Sequence, residues 1–307
     1  MKTRTKKNIF LLLLIMLLVT GCTTTLKTED KKVVKNPETG QSLTENILCR
    51  PTNKNTIKVY EKNGIDLAAI PECNDFSITS GGYDGLWTSI FVKPLAFVIL
   101  FINKYVKNAG LALIITSLAL RLVLYPLTRK TALQSELIKK AQPDLDKLEK
   151  KYANKTDSDS MMKKSQEMTL IYKKHKINPV LGCLYSFIQL PLFIAFLEAI
   201  NRVPALFEGK FLSLQLGTTP SMGIFSNGQL LYLLLIILIG VTTYFSFNLN
   251  KTASTTGSQM QNMTNIMTGM IVVMGIFMPT ALCIYWITTN LFTIVQNLLV
   301  KRSKEAQ

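Results

Sequence analysis

The sequence is poor in the residues that carry out chemistry. It holds one histidine, two tryptophans and five cysteines in 307 residues, with 19 acidic side chains against 35 lysines and arginines. The single histidine, His175, lies in a charged stretch. No apolar block carries a Ser/His/Asp, paired-Asp or His/Glu set, so intramembrane catalysis and metal ligation lack the groups they need. No enzymatic activity, metal or cofactor is expected. The shortage of acid leaves a formal net charge of +16. Thirteen of the 35 basic residues fall between 128 and 178, flanked by apolar blocks. That is the pattern of a cytoplasmic loop obeying the positive-inside rule, not of a nucleic-acid-binding face; contact with ribosomal RNA stays open. Internal repeats are missing too, which counts against a transporter built from two matching halves.

Apolar sequence is plentiful, at 48% of the chain, and it comes in blocks. The first block is short. Lys2, Arg4, Lys6 and Lys7 precede Ile9 to Val19, an apolar run of about eleven residues against the roughly 20 needed to span a bilayer. The run ends in Leu18-Val-Thr-Gly-Cys22, small residues before a cysteine, as in a bacterial lipobox. Residues 1–21 read as a lipoprotein signal peptide. Cys22 is the expected site of lipidation, through an S-diacylglycerol and an N-palmitoyl group, on the outer face of a plasma membrane. Residues 22–83 then form a polar extracellular segment with eight basic and eight acidic groups after the cysteine. Cys49 and Cys73 lie in it, where an oxidising environment permits a disulfide; two free thiols are the alternative.

Five later blocks fit membrane-spanning helices: 109–127, 179–200, 229–247, 262–278 and 280–299. The last two come from one apolar run of about 37 residues, roughly 55 Å as a single helix, and Pro279 breaks it. A further apolar stretch lies within 84–107. Counting it as a crossing would put the basic 128–178 segment on the same side as Cys22. As an interfacial helix, with Trp87 near one end and Lys104 and Lys107 at the other, it leaves 128–178, the 248–261 loop and the 300–307 tail cytoplasmic and the 201–228 loop extracellular. Within 128–178, Leu133, Leu137, Ala141, Leu145, Leu148 and Tyr152 recur at helical spacing. Ala153 to Ser160 is a turn-forming break, so a helical hairpin is expected and a solvated spacer is the alternative.

Leu120-Arg-Leu-Val-Leu-Tyr-Pro-Leu127, Asn178-Pro-Val-Leu-Gly-Cys-Leu184 with Phe187-Ile-Gln-Leu-Pro-Leu-Phe193, and Ala281 to Asn290 followed by Val295-Gln-Asn297 are three motifs in a fixed order. Together with the span count they resemble the YidC/Oxa/Alb family of membrane protein insertases in its Gram-positive-type lipoprotein form. The resemblance implies an all-α polytopic membrane protein of five transmembrane helices around a hydrophilic groove open to the cytoplasm. It implies an insertase and folding chaperone for newly made membrane proteins, and lipoproteins among them, working alone or with the Sec translocon. Its partners would be nascent clients, membrane lipids, and the ribosome and signal-recognition machinery at the hairpin and tail, with the chain a monomer in the bacterial cell membrane.

Arg121 is the costly feature. A guanidinium inside a membrane helix carries a penalty of about 2.5 to above 10 kcal/mol. The resemblance makes it the groove cation that attracts acidic client tails, with Gln189 and Trp286 as polar groove groups. On residues alone, Arg121 can instead snorkel to the near interface, and Trp286 can be an interfacial anchor. Thr116, Ser117, Ser186, Thr242, Thr243 and Asn290 either line the groove or hold helices together. Glu198 reads as an interfacial carboxylate at the outer end of its span. Met260, Met263, Met267, Met270, Met274 and Met278 fall on one helix face, suited to varied clients or to plain packing. Anion transport through a channel or transporter subunit is the competing function.

Overall fold

The computed structural model describes residues 23–226, 228–249 and 257–305. The segment read as a signal peptide, Cys22 and Lys251 lie outside them, as do the side chains of Cys183, Ser186, Met260 and Met263. Helices dominate: α1 (Lys54–Lys62), α2 (Gly85–Val106), α3 (Ala109–Val123), α4 (Tyr125–Tyr152), α5 (Ser158–Lys174), α6 (Pro179–Arg202), α7 (Pro204–Phe207), α8 (Pro220–Phe225), α9 (Leu231–Leu249), α10 (Gly257–Phe277) and α11 (Thr280–Glu305). A two-stranded antiparallel ribbon, β1 (Lys210–Phe211) with β2 (Leu214–Gln215), precedes α8.

Among the described residues, α2, α9 and residues 280–303 of α11 are long and apolar enough to cross a membrane; α3 and α4 together pass the same test but bend by 71°. The bend has a local cause. Pro126 lacks an N–H and crowds the preceding turn, so α3 stops at Val123 and α4 restarts with Pro126 in its first turn. Within the expected first span the helix therefore breaks after Val123, and Tyr125 to Leu127 lie in the first turn of α4. Helix α2 has the length and composition of a span, and placing it in the interface rests on parity. It contains a π turn at Thr88–Val92, next to Pro94, whose missing N–H interrupts the ordinary ladder.

The chain divides into two compact units. The first comprises Met1–Ser117, Pro191–Leu235 and Gly275–Tyr285. In it, the stretch expected to be merely polar has a core of its own, Leu26, Val34, Leu43, Ile47, Tyr60 and Leu67 with Phe207. Isolated bridges, Thr25 with Thr44 and Lys35 with Ser42, fold the chain back on itself. Asn53 caps α1 by accepting from the N–H groups of Asn55 and Thr56. A Cys49–Cys73 disulfide closes a loop with a sequence separation of 24, worth about 3 kcal/mol by chain entropy.

The second unit comprises Leu118–Leu190, Ile236–Met274 and Trp286–Gln307. Here α4 and α5 pack through Ile138, Ala141, Leu145, Tyr172 and Ile177, with Leu137, Met168 and Ile171 at the margin. The apolar stripe on α4 thus faces its partner helix, not solvent. Polar contacts close the hairpin: Lys151 pairs with Glu167 at 2.7 Å, and the Asp144 carboxylate meets Nε2 of His175 and the Lys174 ammonium, each at 2.8 Å. These hydrogen bonds hold the Asp144 carboxyl down at about 2. A lowered folded value stabilises the hairpin fully above the free carboxylate range near pH 4, and the contribution disappears as pH falls through about 2. Asp144→Asn should therefore increase amide exchange in α5 of the full-length protein at neutral pH, and the difference should vanish in strong acid. Equal exchange at neutral pH would show that this contact contributes nothing.

Candidate functional site

Arg121 is buried on α3 in the second unit, and its Nη2 donates to Oε1 of Gln189 on α6 at 2.5 Å. A neutral amide orients the guanidinium without cancelling its charge. Two residues that a sequence separation of 68 keeps apart are thereby joined, with Gln189 half-buried.

A second polar cluster lies between α9 and α11. Oγ1 of Thr243, fully buried, accepts from Nε1 of Trp286 and from Nδ2 of Asn290, each at 3.0 Å. Trp286 is thus tied by its indole N–H to a neighbouring helix. Thr242 donates to the carbonyl of Leu238 within its own helix. In the first unit Ser117 does the same to Leu113, while Thr116 is fully buried. These intrahelical bonds are the usual fate of a hydroxyl in an apolar helix.

Sequence reading named Asn290 and quoted Gln296 and Asn297 only within a motif, without seeing that they share one polar face of α11. Thr289, Asn290, Thr293, Gln296 and Asn297 are all buried at steps of three and four, one face of a helix otherwise fit for lipid. Nε2 of Gln296 donates to Oγ1 of Thr128 at 3.0 Å, which joins the far end of α11 to the first turn of α4. The signal was present as polar periodicity inside an apolar block.

Glu198, expected at an interface with water, is instead buried by protein in the first unit. Its Oε1 accepts from Nε1 of Trp87 at 3.0 Å, and its Oε2 is 3.7 Å from Arg202. Arg202 is 1% exposed and donates to Asp84, Thr88 and the carbonyl of Asn46. Lys93, also buried, donates to the carbonyls of Ser80 and Gly82. On α10, Met267, Met270 and Met274 are exposed alongside Ile266 and Val273, and Met278, just past its end, is half-buried.

The chemistry available is therefore binding. A buried guanidinium held on an amide oxygen, beside a run of uncharged hydrogen-bonding groups, offers sites for polar groups in an apolar setting. Residues 101–307 match a family model described as 60Kd inner membrane protein. The chain is 35% identical over 225 residues to the membrane protein insertase YidC of Oceanobacillus iheyensis, covering 73% of this chain and 87% of that protein. It is 35% identical over 217 residues to the membrane protein insertase MisCA of Bacillus subtilis, covering 70% and 79%. A crystal structure titled as an active YidC insertase with the first transmembrane domain resolved matches with a TM-score of 0.50 and 22% identity. That match spans 78% of this chain and 52% of the solved chain, about half its length, and indicates a shared fold.

Proposed function

The chain belongs to the 60Kd inner membrane protein family of YidC-type membrane protein insertases, and from that premise we propose that it inserts newly made integral membrane proteins, and lipoproteins among them, into a bacterial plasma membrane and helps them fold. The observation that carries the finer reading is the buried Arg121 held on Gln189. A short polar tail crossing hydrocarbon is opposed by desolvation of its charges. A hydrophilic groove open to the cytoplasm keeps that tail wet for part of the crossing, and a fixed cation draws in acidic residues where the effective dielectric is below that of water. Gln189 orients the cation; Trp286, Thr243 and Asn290 supply uncharged polar surface.

In this reading the crossings are 109–127, 179–200, 229–247, 262–278 and 280–299, with α2 in the outer interface. The hairpin and tail are cytoplasmic and available to the ribosome, the signal-recognition machinery and the Sec translocon, and the protein acts as a monomer. Cys22 is lipidated outside. Feeding cells a labelled fatty acid should label the wild type and leave a Cys22→Ser protein unlabelled; label retained on the variant rejects the anchor.

The test of function is reconstitution of the purified chain into liposomes with a single-span client bearing an acidic translocated tail. Insertion above that of protein-free liposomes is expected. Insertion no better than in protein-free liposomes, or selective anion flux that disappears in Arg121→Ala, would overturn the proposal in favour of a channel.

A further inference from the structure

A cavity of about 470 Å³ in the first unit belongs to none of the groups invoked for insertion. Three cations from three different segments line it: Arg50, Lys107 at the end of α2, and Lys210 on β1, against the two carboxylates Glu72 and Glu208. The first residue of α3, Ala109, also lines it.

The walls are held firmly. The Arg50 guanidinium is tied to the carbonyls of Leu67, Ala68 and Ile70 at 3.0–3.3 Å, and neighbouring Cys73 is in the disulfide. Oε2 of Glu208 accepts from the N–H and hydroxyl of Thr52 and from the N–H of Asn53, at 3.0–3.2 Å. Gly209 permits the close approach of this turn to α3. A Cβ there would fall 2.9 Å from that of Ala109 and 2.8 Å from the Ala205 carbonyl. Arg50 and Oε2 of Glu208 are thus engaged in building the cleft, while Oε1 of Glu208 is buried without a hydrogen-bond partner among the described residues. Lys107 and Lys210 differ: both are exposed, and neither enters an ion pair among the described residues. Asn108 uses its Oδ1 to cap the N–H of Leu111, which leaves its amide N–H groups to donate.

Depth selects the ligand. Ala109 begins the apolar helix read as the first crossing, so in that topology the cleft opens at the headgroup level of the outer leaflet. Two exposed ammonium groups outside any close ion pair, with Lys210 also in the field of Glu38, and an amide donor match a group with one negative charge and several acceptor oxygens. We propose that this cleft binds the phosphodiester headgroup of an anionic glycerophospholipid from the outer leaflet, with Lys107 and Lys210 as the anion-binding residues. The bound lipid would tie the folded 23–83 segment to the start of the first span. The proposal rests on the orientation given above, so its test separates the two.

The full-length protein is placed in phosphatidylcholine nanodiscs doped with spin-labelled phosphatidylglycerol, and immobilised lipid is titrated. Lys107→Gln with Lys210→Gln should weaken the phosphatidylglycerol preference by roughly 30-fold, taking the usual contribution of each lysine near an anionic surface. Lys107→Arg with Lys210→Arg should keep it. Lys54→Gln with Lys58→Gln removes the same charge from exposed positions on α1 and should leave it unchanged. An equal loss in the α1 pair, or no loss in the cleft pair, overturns the site. Competition by soluble glycerol phosphate as strong as by the lipid overturns the lipid source. A Lys107→Cys protein in intact cells should react with a membrane-impermeant maleimide. Reaction only after the membrane is opened would reject the orientation, whatever the lipid result.

Discussion

Arg121→Ala is expected to reduce insertion of an acidic-tailed client by about tenfold, while a client with a neutral tail inserts as before. Two unit charges about 4 Å apart attract by roughly 4 kcal/mol at an effective dielectric near 20. Part of that attraction is offset by taking the client carboxylate out of bulk water. A remainder of about 1.4 kcal/mol gives the tenfold effect. Arg121→Lys retains the charge and should retain most of the activity. Gln189→Leu retains the charge but removes the acceptor that orients it, so a smaller loss is expected, again confined to acidic tails. The neutral-tail client controls for folding, because a collapsed protein would fail with both. If both clients insert equally well into liposomes carrying Arg121→Ala, the side chain serves only to reach the interface, and the groove cation must be sought elsewhere.

Arg121 and Gln189 were legible as candidates because each is a polar intrusion in an apolar block, and such intrusions are costly enough to be kept for a reason. Their pairing was not legible, since nothing in the sequence fixes the rotation of α3 against α6. The hairpin could be read from Leu137, Ala141, Leu145 and Leu148, whose spacing declares the buried face of α4. The bend after Val123 was not read from Pro126, because hydropathy runs on to Leu127 while the helix does not. The core of the 23–83 segment was invisible for a different reason. Leu26, Val34, Leu43, Ile47, Tyr60 and Leu67 follow neither a helical nor a strand period, and their partner Phe207 lies far along the chain from all of them. Isolated bridges and a disulfide hold such a unit, and neither leaves a periodic trace.

The same long-range logic makes Arg202 the residue whose loss should cost the most stability. It ends α6 and gathers three segments. Its Nη2 meets Asp84 at 2.6 Å and its Nη1 meets Thr88 at 3.1 Å. Its Nε meets the carbonyl of Asn46 at 2.7 Å, and its own carbonyl accepts from the Leu48 N–H at 2.8 Å. Glu198 lies one turn back on α6 and is buried with it. Arg202→Met fills similar volume but leaves the Glu198 carboxylate without its neighbouring cation and the Asn46 carbonyl without its donor. Removing one partner of a buried pair costs about 3–5 kcal/mol, which lowers the melting temperature on the order of 10 °C. Arg202→Lys cannot serve three acceptors in a planar fork and should recover only part of this. Pairing Arg202→Met with Glu198→Leu removes the stranded charge, although it also takes the acceptor from the Trp87 indole. The double variant should be destabilised by less than the sum of the two single changes. Melting of the detergent-solubilised protein, read together with the rate of proteolysis within 23–83, separates the outcomes. Strict additivity would mean that Arg202 and Glu198 do not share an interaction, and an unchanged melting temperature in Arg202→Met would mean that α6 is held to the 23–83 segment without the guanidinium, by apolar packing and by the bonds of Asn201 and of the Arg202 carbonyl.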